Sequence, residues 1–174
     1  MQELRISVAE ILGRPGASHS ISVSAPLEGV QVSLARLDDG AKVSADLRLE
    51  SVVEGILATG GASTPVTFEC ARCLKQFSGI VEAELCELFV TPNHVDPDED
   101  QYRVEGEEID LEPMLRDALT LELPLNPVCR EDCKGICAQC GKEMTSETCD
   151  CTEETTDPRW AELDALRTKL EANH

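Results

Sequence analysis

The run Lys42-Val43-Ser44-Ala45-Asp46-Leu47-Arg48-Leu49-Glu50 alternates without a break. Val43, Ala45, Leu47 and Leu49 fall on one side, and Lys42, Ser44, Asp46, Arg48 and Glu50 on the other. A period of two belongs to an extended chain, so this run predicts a strand with one face in a core and the other in water. The same texture spreads outward from it, between Ser18 and Val90. Ile21 and Val23 alternate with serines, and Val30, Val32 and Leu34 with polar neighbours. Val52 to Ala58 reads as a strand ended by Gly60-Gly61. Val66, Phe68 and Cys70 alternate next, then Val81, Ala83 and Leu85 against Glu82 and Glu84. Short strands separated by turns predict an α+β protein with an antiparallel β-sheet, curled or closed into a barrel.

A few helices flank this β region. Ser7-Val8-Ala9-Glu10 has the form of a capping box opening a short helix, closed by Gly13 and broken at Pro15. Asp110 is placed to cap a helix over 111–122, with Leu111, Leu115, Ala118, Leu119 and Glu122 on one stripe and Pro124 and Pro127 beyond its end. Asp157-Pro158 begins a terminal helix whose Trp160, Leu163, Leu166 and Leu170 share a face suited to docking on the body. Thr91 to Glu108 carries Pro92, Pro97 and a dense acidic series, and reads as a mobile, solvated loop. The expected organisation is a β-rich body over 1–128, a cysteine-rich module over 129–151 with a zinc knuckle, and a docked helix over 157–172. No internal repeat stands out.

The chain has nine cysteines. No apolar run approaches the ~20 residues a membrane span needs, and Met1-Gln2-Glu3-Leu4-Arg5 leads into no signal-like segment. The expectation is a cytoplasmic protein in a reducing compartment, where stable disulfides are rare. The cysteine spacing points to metal instead. Cys70-Ala71-Arg72-Cys73 and Cys137-Ala138-Gln139-Cys140 each place two thiolates where one ion can take both at about 2.3 Å. With Cys129, Cys133, Cys149 and Cys151 they make eight thiols, enough for two closed tetrahedral Zn2+ sites. Sequence proximity groups Cys137, Cys140, Cys149 and Cys151, and leaves Cys70 and Cys73 to be completed by Cys129 and Cys133. Exchanging Cys133 into the other site is the competing division. Arg72, Lys75, Arg130, Lys134 and Lys142 lie where they would offset thiolate charge. Cys86 is left over, and reads as a small buried hydrophobe in a strand.

Catalysis finds little footing. A hydrolytic zinc site keeps a position open for water, commonly with histidine ligands, whereas His19, His94 and His174 stand in no such motif. Phosphate-binding loops and nucleophile elbows are absent, so the chain is expected not to be an enzyme. The formal charge of -19 disfavours phosphate backbones and anionic membranes, because affinity for both comes from Lys and Arg. That charge confers solubility, and it also suits a basic partner such as a ribosomal protein.

Phe68-Glu69-Cys70-Ala71-Arg72-Cys73-Leu74, followed by IDLEPMLRDALTLELPLNPVCREDCKGICAQCG over 109–141, resembles the YceD family of large ribosomal RNA subunit accumulation proteins. The likeness extends over most of the chain and is least diagnostic before Thr64. It implies a role in accumulation, processing or stability of large-subunit ribosomal RNA during assembly. Some relatives lack the Cys137–Cys151 module yet keep cysteines like Cys70, Cys73 and Cys133, which implies two separate sites. The family has no established reaction. The function expected is therefore a non-enzymatic assembly factor that binds a basic ribosomal protein or a large-subunit assembly intermediate. Direct rRNA contact is left open, and no DNA or membrane partner is expected. The alternative is a zinc/thiol redox sensor.

Overall fold

The alternating run becomes the strand Lys42–Ser51, with Val43, Ala45, Leu47 and Leu49 buried and its charged residues outside. It belongs to a computed structural model that describes residues 4–38, 40–95, 100–144 and 149–151, together with 160, 162, 163, 166 and 167. The chain divides into two compact units, Met1–Cys133 and Lys134–His174. Cys129 and Cys133 thus lie in the unit that holds the sheet, although the sequence suggested a module beginning at 129.

The first unit holds one nine-stranded sheet. In chain order the strands are β1 (Arg5–Ser7), β2 (Ser18–Pro26), β3 (Gln31–Val32), β4 (Ala35–Arg36), β5 (Lys42–Ser51), β6 (Gly55–Glu69), β7 (Gln76–Val90), β8 (Tyr102–Glu105) and β9 (Glu108–Asp110). The long β6–β7 hairpin is the spine, paired from Gly55↔Val90 to Glu69↔Gln76. Along the other edge of β6, β5 takes Ile56 to Ser63 and β4 takes Thr67 and Phe68. β2 continues outward from β5, and β8, β9 and β1 continue from β7. Pairing is antiparallel except between β7 and β8. Among the described residues β1, β2 and β3 each pair on one side only, so the sheet is a curled half-barrel.

The helix α1 (Leu111–Glu122) begins where expected, with the Asp110 carboxylate accepting from the Glu112 N–H. It buries Leu111, Met114, Leu115 and Leu119 in a core shared with Val8, Leu27, Leu49, Ile56, Phe89 and Ile109. Aliphatic residues do nearly all the filling.

Several expectations need correction. Ser7 is occupied by pairing with Glu108, so it cannot cap a helix. Residues 9–13 form a turn in which the Ile11 and Leu12 N–H groups both donate to the Val8 carbonyl. The acidic stretch over 91–108 is not wholly loop: β8 and β9 lie partly within it, joined at Gly106, with Val104 and Ile109 facing the core. Few apolar residues sufficed there, because a three- or four-residue strand needs only one inward side chain. Cys86 is exposed, since the parity that turns Val81, Ala83 and Leu85 inward turns residue 86 out.

Gly60-Gly61 does not end a strand; β6 runs straight through it. A Cβ on Gly60 would lie 2.1 Å from the Asp46 carbonyl oxygen, and its φ is +150°. On Gly61 the nearest atom would be the Ala83 carbonyl oxygen, at 3.6 Å. The pair marks a close approach of β5 and β6, and only its first member is obligatory. Gly60→Ala should therefore destabilise by about 2 kcal/mol or more, and Gly61→Ala by less than about 0.5 kcal/mol. Denaturant unfolding of the two variants checks this.

Of the terminal helix, Trp160, Leu163 and Leu166 are each more than half exposed, while Leu170 lies outside the described residues.

Candidate metal centre

β6 stops at Glu69 and β7 starts at Gln76, so the loop of the central hairpin is the Cys70-Ala71-Arg72-Cys73 motif itself. The Cys70 N–H donates to the Lys75 carbonyl and the Leu74 N–H to the Cys70 carbonyl, both at 2.9 Å. These bonds turn the inner amides toward sulfur: the Cys70 thiol receives the N–H groups of Cys73, Arg72 and Cys129. The segment after α1 closes over this loop. Ala71 N–H donates to the Pro127 carbonyl at 2.8 Å, and Arg72 Nη1 donates to the carbonyls of Glu131 and Cys133 at 3.1 and 2.8 Å. Arg72 therefore ties the two segments together through their backbone. Arg130 is paired with Asp132 at 3.2 Å, on the surface.

Cys70, Cys73, Cys129 and Cys133 gather into one cluster, with Cys70 to Cys133 at 3.9 Å and Cys73 to Cys129 at 3.7 Å between sulfurs. Tetrahedral thiolates bound at about 2.3 Å stand about 3.8 Å apart. The spacing thus fits a single ion that favours sulfur, and three of the four cysteines are buried, against Phe77 and Val128.

The second unit repeats the device. Cys137, Cys140, Cys149 and Cys151 form a second four-thiol cluster. The Cys137 N–H donates to the Lys142 carbonyl at 2.8 Å and the Gly141 N–H to the Cys137 carbonyl at 2.9 Å. The Cys137 thiol receives the N–H groups of Cys140 and Gln139. Cys70-Ala-Arg-Cys-Leu-Lys75 and Cys137-Ala-Gln-Cys-Gly-Lys142 are the same knuckle, a local repeat visible once the two are aligned. Leu74 holds the left-handed conformation (φ 61°) that Gly141 (φ 72°) adopts without cost. The second cluster is the more open: Cys140 is exposed, and Cys137, Cys149 and Cys151 are half-buried. The division between clusters is the one read from sequence proximity, with Cys133 in the first.

The thiols in each cluster are polarised. Burial opposes ionisation of Cys70, but the three backbone N–H groups outweigh it and bring its thiol down to about 6. Desolvation, with the neighbouring Cys73 and Cys70, pushes Cys129 up to about 12. In the second cluster the Cys140 and Gln139 N–H groups bring Cys137 down to about 6, whereas the Cys140 thiol and desolvation push Cys151 up to about 12. Each cluster thus offers one ready thiolate to begin capture of a cation, and binding must expel protons from Cys129 and Cys151.

A family model described as "Large ribosomal RNA subunit accumulation protein YceD" matches residues 58–167, which include both clusters. The chain belongs to the YceD family. An uncharacterized protein of Mycobacterium tuberculosis is 43% identical over 166 residues, covering 92% of this chain and 79% of its own. An uncharacterized protein of Bacillus subtilis is 30% identical over 128 residues, 72% of each chain. The Arabidopsis thaliana protein named "Large ribosomal RNA subunit accumulation protein YCED homolog 1, chloroplastic" is 34% identical over 67 residues, 38% of this chain and 21% of its own. No solved structure matches. Among the described residues, no helix is long and apolar enough to cross a membrane.

Two outcomes test this centre. All four thiols of a cluster must give up protons to a metal, the raised Cys129 and Cys151 included, so metal affinity and the stability it confers should weaken steadily as pH falls. The fall should steepen below about 6, where Cys70 and Cys137 also take up protons, measured by release of added Zn2+ to a chromogenic chelator alongside thermal unfolding. Leu74→Gly should relieve about 1–2 kcal/mol of left-handed strain. Part of that returns as glycine's larger unfolded-state entropy, for a net stabilisation of about 0.5 kcal/mol in the metal-loaded protein.

Proposed function

We propose that this YceD-family chain supports accumulation of large-subunit ribosomal RNA as a non-enzymatic cytoplasmic assembly factor. Zn2+ is the structural metal of both clusters, and the partner is a basic ribosomal protein or an assembly intermediate that contains one. The observation that carries the reading is the family match, which runs through both cysteine clusters. Closed four-thiol sites suit structure rather than catalysis, because no ligand position remains for water.

The partner class follows from charge. At -19 the chain repels phosphate, so its attraction is for Lys- and Arg-rich surfaces. One concavity of about 490 Å3 is lined by five carboxylates, Glu87, Asp100, Glu105, Asp110 and Asp117, beside Arg103; Arg5 pairs with Glu105 and Asp110, and Tyr102 donates to Asp117 at 2.8 Å. A basic ribosomal protein held by carboxylates is kept from indiscriminate RNA binding. It is given up when cognate rRNA offers denser negative charge and counterion release.

The competing reading, a zinc/thiol redox sensor, draws on the exposure of the second cluster. Loss of zinc from that cluster under mild peroxide, with rRNA levels unaffected by depletion, would favour it.

Depleting the protein should lower the ratio of large- to small-subunit rRNA, with aberrant large-subunit particles on gradients. Wild type should restore the ratio and Cys70→Ser should not. In parallel, the purified protein should retain a component of the protein mixture stripped from large subunits by high salt, and should not retain naked rRNA. An unchanged ratio, or tight salt-sensitive binding to naked rRNA alone, would overturn the reading.

A further inference from the structure

β2 is the outer strand on its side of the half-barrel, and among the described residues its far edge has no partner. The pairing fixes what that edge presents. The Ser51 N–H donates to the Ala17 carbonyl at 2.9 Å, which puts Ala17 and Ser51 in the bonded parity of the β2–β5 ladder. In an antiparallel pair that parity alternates. His19, Ile21, Val23 and Ala25 therefore bond to β5, and Ser18, Ser20, Ser22 and Ser24 aim N–H and C=O outward. The Asp46 carbonyl agrees: paired with Ser22 in the unbonded parity, it points away from β2, toward Gly60 on β6.

Exposed edges are ordinarily guarded by charge, since an unpaired ladder recruits any passing strand. Here the guard is missing. From Pro15 to Leu27 there is no Asp, Glu, Lys or Arg, in a chain that is 28% charged, where about four would be expected. Ile21 and Val23 face the core side but are only half-buried, because no further strand covers them. The edge thus combines outward-facing backbone groups, an uncovered apolar row and no repulsive charge.

We propose that the free edge of β2 is a docking strand for an extended segment of a basic protein, which adds to the sheet by main-chain pairing through Ser18, Ser20, Ser22 and Ser24. This rests on the reading that the partner is basic, and names where it binds. Charge selects the occupant. A second copy would bring another -19 to the same edge, whereas a Lys- and Arg-rich chain is drawn to it and meets no cation on β2 itself; of the residues across from it on β5, Arg48 is paired with Glu50, and Asp46 lies opposite Ser22. Main-chain pairing supplies affinity, and the half-buried Ile21 and Val23 give alternate side chains of the added strand an apolar row to cover.

The test uses the full-length, zinc-loaded protein and the same salt-stripped large-subunit protein mixture. In the retained complex, hydrogen exchange at the Ser18, Ser20, Ser22 and Ser24 amides should slow at least tenfold. Ser22→Pro removes one outward donor while leaving the β2–β5 backbone bonds and the charge in place, and should weaken retention at least tenfold; it also removes the Ser22 hydroxyl that donates to Asp46, a loss shared by Ser22→Ala. Ser22→Ala, which keeps the N–H, should bind as wild type. If Ser22→Pro loses zinc or melts early, Ser20→Pro and the exchange measurement on wild type decide. A complex that forms with β2 exchange unchanged overturns this site while leaving the basic-partner reading standing. No complex at all overturns both. Slowed β2 exchange that depends on the protein's own concentration, with a dimer in sedimentation, assigns the edge to a second copy and overturns the proposal.

Discussion

The outer half of the β6–β7 hairpin depends on the Cys70–Cys73–Cys129–Cys133 cluster. Beyond Ser63 the hairpin has lost β5 and is flanked only by the two residues of β4. A two-stranded ribbon is marginal alone in water. Its tip is held by the Phe68–Phe77 pair, with ring centroids 5.2 Å apart, and by thiols that meet cysteines more than fifty positions further along the chain. An ion shared by four such thiols would close a long loop and replace the large side chains that an aliphatic core with three Phe does not supply. Phe77 packs against both the main core and the thiol cluster, so stability gained by metal binding there would reach the sheet.

The thiols cannot do this alone. Backbone N–H groups favour a thiolate at Cys70, while desolvation and the neighbouring Cys73 and Cys70 hold Cys129 as a thiol. A bare cluster of this kind is part thiolate and part thiol, satisfied at neither. A soft cation resolves the conflict by accepting all four as anions. The same tension recurs in the second unit around Cys137 and Cys151, on a more exposed knuckle. Two knuckles with one hydrogen-bond pattern, one deep and one shallow, imply unequal exchange of metal with solvent.

What the sequence made legible follows from period and spacing. β5 and α1 each carry four or more inward residues at one regular period, and both stand where the pattern put them. The eight thiols were legible for the same reason, since two CxxC pairs leave few ways to complete two shells. The misses come from elements defined by partners rather than by their own residues. Val104 and Ile109 are single inward residues in acidic surroundings, so β8 and β9 exist because β7 and β1 offer edges to pair with. Gly60-Gly61 carries the composition of a turn, and only the Asp46 carbonyl on the neighbouring strand reveals why glycine stands there. Parity counted from Leu85 places Cys86 on the outer face, and in a strand that parity outweighs the apolar character of a thiol.

Acidity and the bare edge work at different ranges. A charge of -19 acts over roughly a Debye length, about 8 Å at physiological salt, and selects basic chains without fixing how they bind. A strand edge acts only in contact, through backbone groups that every protein has, and so selects conformation rather than sequence. Used together they would give an assembly factor what it needs. Basic ribosomal segments would be gathered by charge and held extended by pairing, and neither term requires the affinity of a tailored pocket. The interaction would also be reversible: RNA competes directly for the positive charges, and pairing along one strand edge holds the segment less firmly once that attraction is gone.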